Sequence, residues 1–168
     1  RFIAESGYKV FTFDFRGYGK STGIKDTRMD RDLEAAIAYM RAKGAQQVVL
    51  IGASMGGTAV IELASESQVQ GVAALSPPAE FGRINALTAV ESMVIPLLLI
   101  VSENDYQYYS DARKIESAAA ATQFLVVQGQ QHGTNMIAEH RNEIFANLLA
   151  FLDRWTDDRL LTTVQTES

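Results

Sequence analysis

The pentapeptide Gly52-Ala53-Ser54-Met55-Gly56 sets a serine between two glycines, directly after the apolar run Val48-Val49-Leu50-Ile51. A short run of that kind ending at glycine reads as a strand buried in a parallel sheet, and the residues after it read as a helix. At so tight a strand-to-helix corner a serine is held in a strained backbone conformation, its oxygen lifted above the sheet edge. Its neighbours must be small for the chains to pass. Gly-x-Ser-x-Gly arises by chance in many chains; the strand before it and the helix after it are what give it weight here. A serine hydroxyl is a poor nucleophile unless a base takes its proton and a third group orients that base. Only two histidines are present, His132 and His140. His140 falls inside an expected helix, away from the strand ends, so His132 is the candidate base. For the orienting acid, Asp105 closes the turn Ser102-Glu103-Asn104-Asp105 after an apolar strand, with Glu103, Asp111 and Glu80 as competitors.

Holding these groups together takes a particular order of elements. Residues 1–6 read as the end of a helix stopped at Gly7, and Tyr8 to Phe15 as a strand of β-branched and aromatic residues. That strand runs into Arg16-Gly17-Tyr18-Gly19-Lys20-Ser21-Thr22-Gly23, which lacks the third glycine and the following helix of a dinucleotide site and is expected to be a tight structured loop. Leu33, Ala36, Ile37 and Met40 recur at helical spacing within 28–43, and Gly44 stops that helix. A helix over 57–65 and a strand over 69–75 come next, the latter ended by Pro77 and Pro78. The span from Pro78 to Pro96 has room for one short helix, around 86–92. Strand 95–101, a tyrosine-rich loop, helix 110–121, strand 124–127 and an amphipathic helix over 138–155 complete the domain. Strands alternating with helices imply an α/β fold, a mostly parallel sheet with helices on both faces, in one domain over residues 1–155. Residues 156–168 read as a polar tail. Functional groups in such sheets gather at the carboxyl ends of the strands. Ser54, Asp105 and His132 all lie there, in the order nucleophile, acid, base.

Composition narrows the alternatives. With 15 basic and 20 acidic residues the net charge is -5, and nothing electrostatic invites nucleic acid or an anionic membrane. No apolar run is long enough to span a bilayer. The absence of cysteine removes disulfides, thiolate metal sites and a cysteine nucleophile, and two histidines leave no basis for a histidine-rich metal centre. No cofactor and no metal are expected.

The chain resembles the α/β-hydrolase family, of a lidless-esterase or dienelactone-hydrolase type, over nearly its whole length to Trp155. The likeness rests on Gly52 to Gly57, on Asp14-Phe15-Arg16-Gly17-Tyr18-Gly19-Lys20-Ser21, on the loop ending at Asp105, and on His132 after the last strand. The resemblance implies Ser54 as nucleophile, His132 as general base and then acid, Asp105 as the orienting carboxylate, and the backbone N–H of Met55 as half of an oxyanion hole. It also implies a serine hydrolase acting on small carboxylic esters, with a peptidase, thioesterase or carbon–carbon hydrolase, or an inactive scaffold, as alternatives. Tyr106, Tyr108 and Tyr109 either line the pocket or form an exposed aromatic loop. The family places three strands, and a loop giving the second oxyanion donor, ahead of the strand at Tyr8. A preceding N-terminal segment is expected to complete the sheet, with a second copy or another chain, or a rearrangement of the strands, as alternatives. A cytoplasmic setting is the expectation, with secretion left open. The short span before Pro96 predicts an open cleft with no large lid.

Overall fold

Strands apolar on both sides need cover on both sides, and that requirement sets the architecture. The computed structural model describes residues 1–25 and 29–156. In chain order it contains α1 (Phe2–Glu5), α2 (Met29–Ala42), β1 (Val49–Ala53), α3 (Met55–Glu66), β2 (Gly71–Leu75), β3 (Glu80–Phe81), β4 (Ile84–Asn85), α4 (Ala86–Ser92), β5 (Leu97–Ser102), α5 (Tyr106–Ala118), β6 (Thr122–Val127) and α6 (Met136–Trp155). The four longer strands form one parallel sheet in the order β1-β2-β5-β6, with Leu50 opposite Val72 and Leu99 opposite Phe124. Val60, Ile61, Leu63 and Ala64 of α3 join Leu33 and Ile37 of α2, Val90 of α4 and Ile115 of α5 in a core on one face. Ile144, Leu148 and Phe151 of α6 cover the other, against Ala73, Leu75, Leu98 and Ile100. Phe151 sits over Gly71, where a Cβ would come within 3.0 Å of its ring. Between Pro78 and Pro96, a two-residue hairpin precedes the expected short helix, α4, which packs against α3 and α5. The helix expected from Arg28 begins at Met29; Arg28, and the expected tail from Asp157 onward, lie outside the described residues.

The expected strand at Tyr8–Phe15 does not form. The segment stays out of the sheet, because a cavity separates it from the edge strand β1 and no other strand lies beside it among the described residues. Side chains hold it instead: the Tyr8 hydroxyl donates to Asp153 of α6, and the Phe11 ring lies 4.9 Å from that of Tyr39 on α2. Between this segment and β1 lies a cavity of about 540 Å³, lined by apolar groups that include Val10, Phe13, Leu33, Ile51 and Phe145. Ile51, in the middle of a strand read as buried, is 40% exposed as a result.

The loop that follows closes on itself as expected. The Asp14 carboxylate accepts from the Lys20 N–H at 2.9 Å, and the Ser21 hydroxyl donates to the Asp14 carbonyl at 2.6 Å. A Cβ on Gly19 (φ 51°) would lie 2.2 Å from that carboxylate. Asp32 of α2 ties the loop down, accepting from the Arg16 backbone N–H at 2.9 Å and from its guanidinium at 2.9 and 2.6 Å. Those donors, the guanidinium first, hold the Asp32 carboxyl below the usual carboxylate range, burial opposing them in part. A lowered folded-state pKa means the ionised form is favoured by folding, so this stability is present above about pH 4 and is lost as acid titrates the group. We predict that Asp32→Asn lowers unfolding stability by about 1 kcal/mol at neutral pH, allowing for the water that still reaches Arg16. The gap to the parent should close as the pH falls below 4 in denaturant titrations; a gap independent of pH would contradict the assignment.

Candidate active site

Three strand ends meet at one edge of the sheet, and each delivers one side chain. At the end of β1 the chain turns into α3 through Ser54, whose φ of 51° and ψ of -127° lie in a region that residues with side chains rarely occupy. The corner is held by the Ser54 N–H, which donates to the Leu75 carbonyl at 2.8 Å, and by the Ser54 carbonyl, which accepts from the Gly57 N–H at 2.8 Å. Of the flanking glycines only Gly52 is sterically obligatory, since its Cβ would meet the Gly56 carbonyl oxygen at 2.2 Å. A Cβ on Gly56 would find nothing nearer than the Phe15 ring at 3.9 Å, whereas one on Gly57 would press on Pro77 at 3.1 Å. The smallness expected of both flanking residues therefore applies to Gly52 and Gly57. Met55 opens α3, so its N–H belongs to the helical turn that has no intrahelical acceptor.

Asp105 stands at the N-cap of α5, just beyond β5, its side chain only 10% exposed. Its carboxylate makes no capping bond to the helix and instead reaches Nδ1 of His132 at 2.8 Å. Its carbonyl accepts from the Tyr109 N–H at 2.8 Å, which closes the first helical turn immediately after it. The tyrosine-rich stretch is therefore helix from Tyr106, not the loop expected before residue 110, and Tyr106 alone of the three stands fully out in water.

His132 follows β6, its ring one-third exposed. Its Nε2 lies 2.8 Å from the Ser54 hydroxyl oxygen. A carboxylate only accepts, so Nδ1 carries the proton that points at Asp105, and the neutral ring is left to accept at Nε2 from Ser54. Buried hydroxyls hold the backbone on both sides of the ring. Ser102 donates to the Gln131 carbonyl at 2.6 Å, and Ser76 accepts from the Gly133 N–H at 3.1 Å. Ser76 also has a positive φ, 46°, at the end of the strand next to that of Ser54. Neither serine stood out in the sequence; the only sign of Ser76 was its place at a strand end before two prolines.

Ser54, His132 and Asp105 are thus brought into one line of hydrogen bonds, and the competing residues are engaged elsewhere. Asp111 accepts from the Ala79 N–H at 3.2 Å and pairs with Lys114 at 2.9 Å. Glu80 accepts from the Asn85 side chain in the hairpin, and Glu103 is exposed. His140 marks a kink in α6 (φ -115°, ψ 33°) and lies 3.8 Å from Glu143.

A parallel sheet of this order, with these groups at its carboxyl edge, defines the class: the chain belongs to the alpha/beta hydrolase fold family, which it matches over residues 1–130. Among solved structures it is similar to the Pyrococcus furiosus esterase Pf2001, with a TM-score of 0.78 and 25% identity, covering 92% of this chain and 74% of that one. It is similar also to the esterase domain of a Rhodothermus marinus protein, with a TM-score of 0.68 and 25% identity over 85% of this chain and 72% of that one. The protein YfhR of Escherichia coli (strain K12) is 31% identical over 77 residues, 44% of this chain; the chain spans 27% of the length of that relative.

Proposed function

We propose that the protein is a serine hydrolase that cleaves carboxylic esters through an acyl-enzyme on Ser54. The observation that carries this reading is the unbroken hydrogen-bond path from Asp105 to His132 to Ser54, with both contacts at 2.8 Å. Similarity to two proteins described as an esterase and an esterase domain supports the choice of ester over other acyl groups.

The Ser54 oxygen attacks the acyl carbon as its proton passes to Nε2 of His132, and the carbonyl oxygen becomes an oxyanion. The Met55 N–H, at the positive end of α3, is the donor that meets this charge. Collapse of the tetrahedral species breaks the carbon–oxygen bond to the alcohol, which leaves with the proton from Nε2. Water then gives a proton to Nε2, attacks the acyl carbon, and releases the acid and the free Ser54 hydroxyl when that proton returns to Ser54. Asp105 stays ionised throughout and steadies the imidazolium.

A fluorophosphonate probe is expected to label Ser54, read by peptide mass, and short acyl esters are expected to turn over faster than the matching thioesters and aminoacyl amides. No labelling together with no ester turnover would overturn the proposal. Faster thioester or amide cleavage would move the assignment to another acyl class on the same residues.

A further inference from the structure

The hydrogen bonds of the His132 ring are made at Nδ1 and Nε2, whose N–H and lone pair point along the ring plane, and bonds at the ring's edge resist its tipping weakly. One of the two is also temporary on the pathway proposed above. Once Ser54 is acylated, its oxygen has no proton to donate, and Asp105 alone holds the imidazole while it must aim at water. The side chain is one-third exposed, so the protein does not enclose the ring on every side.

We propose that Tyr108 is the positioning residue that supplies the missing constraint. Its ring lies on that of His132, with centroids 4.0 Å apart and planes inclined at 43°, and the residue is half-buried. Tyr108 stands three residues after Asp105, in the first turn of the helix that Asp105 opens. The bond from the Tyr109 N–H to the Asp105 carbonyl fixes that turn, so the group holding the edge of the imidazole and the group holding its face move together. Aromatic pairs in tilted contact at such distances are favourable beyond the area they bury, and the contact strengthens when the facing ring is cationic. Tyr108 exchanges no proton with substrate; it acts through His132.

This inference rests on the reading of Ser54 as an acyl-enzyme nucleophile, and the test separates the two. Tyr108→Phe keeps the ring, Tyr108→Leu keeps bulk without a π face, and Tyr108→Ala removes both. Deacylation, read as kcat for an ester whose acyl-enzyme accumulates in a pre-steady-state burst, is expected to fall about two- to tenfold in the Leu and Ala variants, while Phe stays at the parental rate. KM, which falls with kcat when deacylation limits, should leave kcat/KM nearly unchanged. Independently of turnover, the low-field Nδ1 proton resonance of the His132–Asp105 bond should remain sharp in the parent and Phe variant and broaden by solvent exchange in the other two. Unchanged kcat and an unchanged resonance in both Leu and Ala variants would overturn the role of Tyr108, as would a Phe variant as impaired as Ala. A parent that shows the resonance and its dependence on the ring, yet hydrolyses no ester, would instead refute the proposed function.

Discussion

Ser54→Ala is expected to reduce ester turnover by about a millionfold, the loss seen when the nucleophile of a hydrogen-bonded catalytic set is removed. The size of the effect follows from how the groups depend on each other. Without the Ser54 oxygen there is no acyl-enzyme, and His132 has no proton to accept although its bond to Asp105 at 2.8 Å is intact. Adding His132→Ala or Asp105→Asn to Ser54→Ala should therefore cost almost nothing more. What survives is whatever the Met55 N–H and substrate binding provide, on the order of a thousandfold over water. Steady-state rates of the single and double variants check this. Equal turnover by the parent and Ser54→Ala would remove Ser54 from the chemistry, and additive losses in the double variants would show that the groups do not act as a unit.

The second large effect concerns folding. Gly52→Ala puts a methyl group 2.2 Å from the Gly56 carbonyl oxygen, 2.4 Å from its carbonyl carbon and 2.8 Å from the Gly57 nitrogen. All three atoms are backbone of the first turn of α3, so no side chain can rotate out of the way. The helix would have to lift off β1, yet α3 carries Val60, Ile61, Leu63 and Ala64 into the core. Overpacking against side chains costs about 1–3 kcal/mol, and an immovable backbone puts this case above that range, at about 4 kcal/mol or more. Gly56→Ala is the control. Its Cβ meets nothing nearer than the Phe15 ring at 3.9 Å, and alanine favours helix over glycine by about 1 kcal/mol. Denaturant midpoints should place Gly52→Ala far below the parent and Gly56→Ala close to it. Two glycines of one motif that behaved alike would contradict the packing described for the corner.

Much of this arrangement was legible in the order of residues. The short apolar runs at 48–51, 95–101 and 124–127, rich in valine and isoleucine or flanked by glycine, read as strands of a sheet, and Ser54, Asp105 and His132 each follow one of them. Propensity alone misled at Tyr8–Phe15. Valine and phenylalanine make a good strand, but a strand is a relation between two segments, and nothing in the eight residues says whether a partner stands within reach. The tyrosines from 106 misled in the opposite sense, since aromatic residues are middling helix formers. There the helix is begun by tertiary structure: Asp105 is fixed by His132, its carbonyl accepts from Tyr109, and Asp111, Ala112 and Ile115 anchor the face that follows. Ser76 and Ser102 could not be singled out because their part depends on a loop that comes some thirty to sixty residues later in the chain, at Gln131 and Gly133.

The cavity beside β1 leaves one margin of the sheet unfilled. Along that margin the chain presents backbone groups with no ladder partner among the described residues, next to Ile51 and the aromatic rings of Phe11 and Phe13, all partly open to water. An unpaired strand edge accepts extended polypeptide, so a segment laid along this one would lengthen the four-stranded sheet and cover those rings.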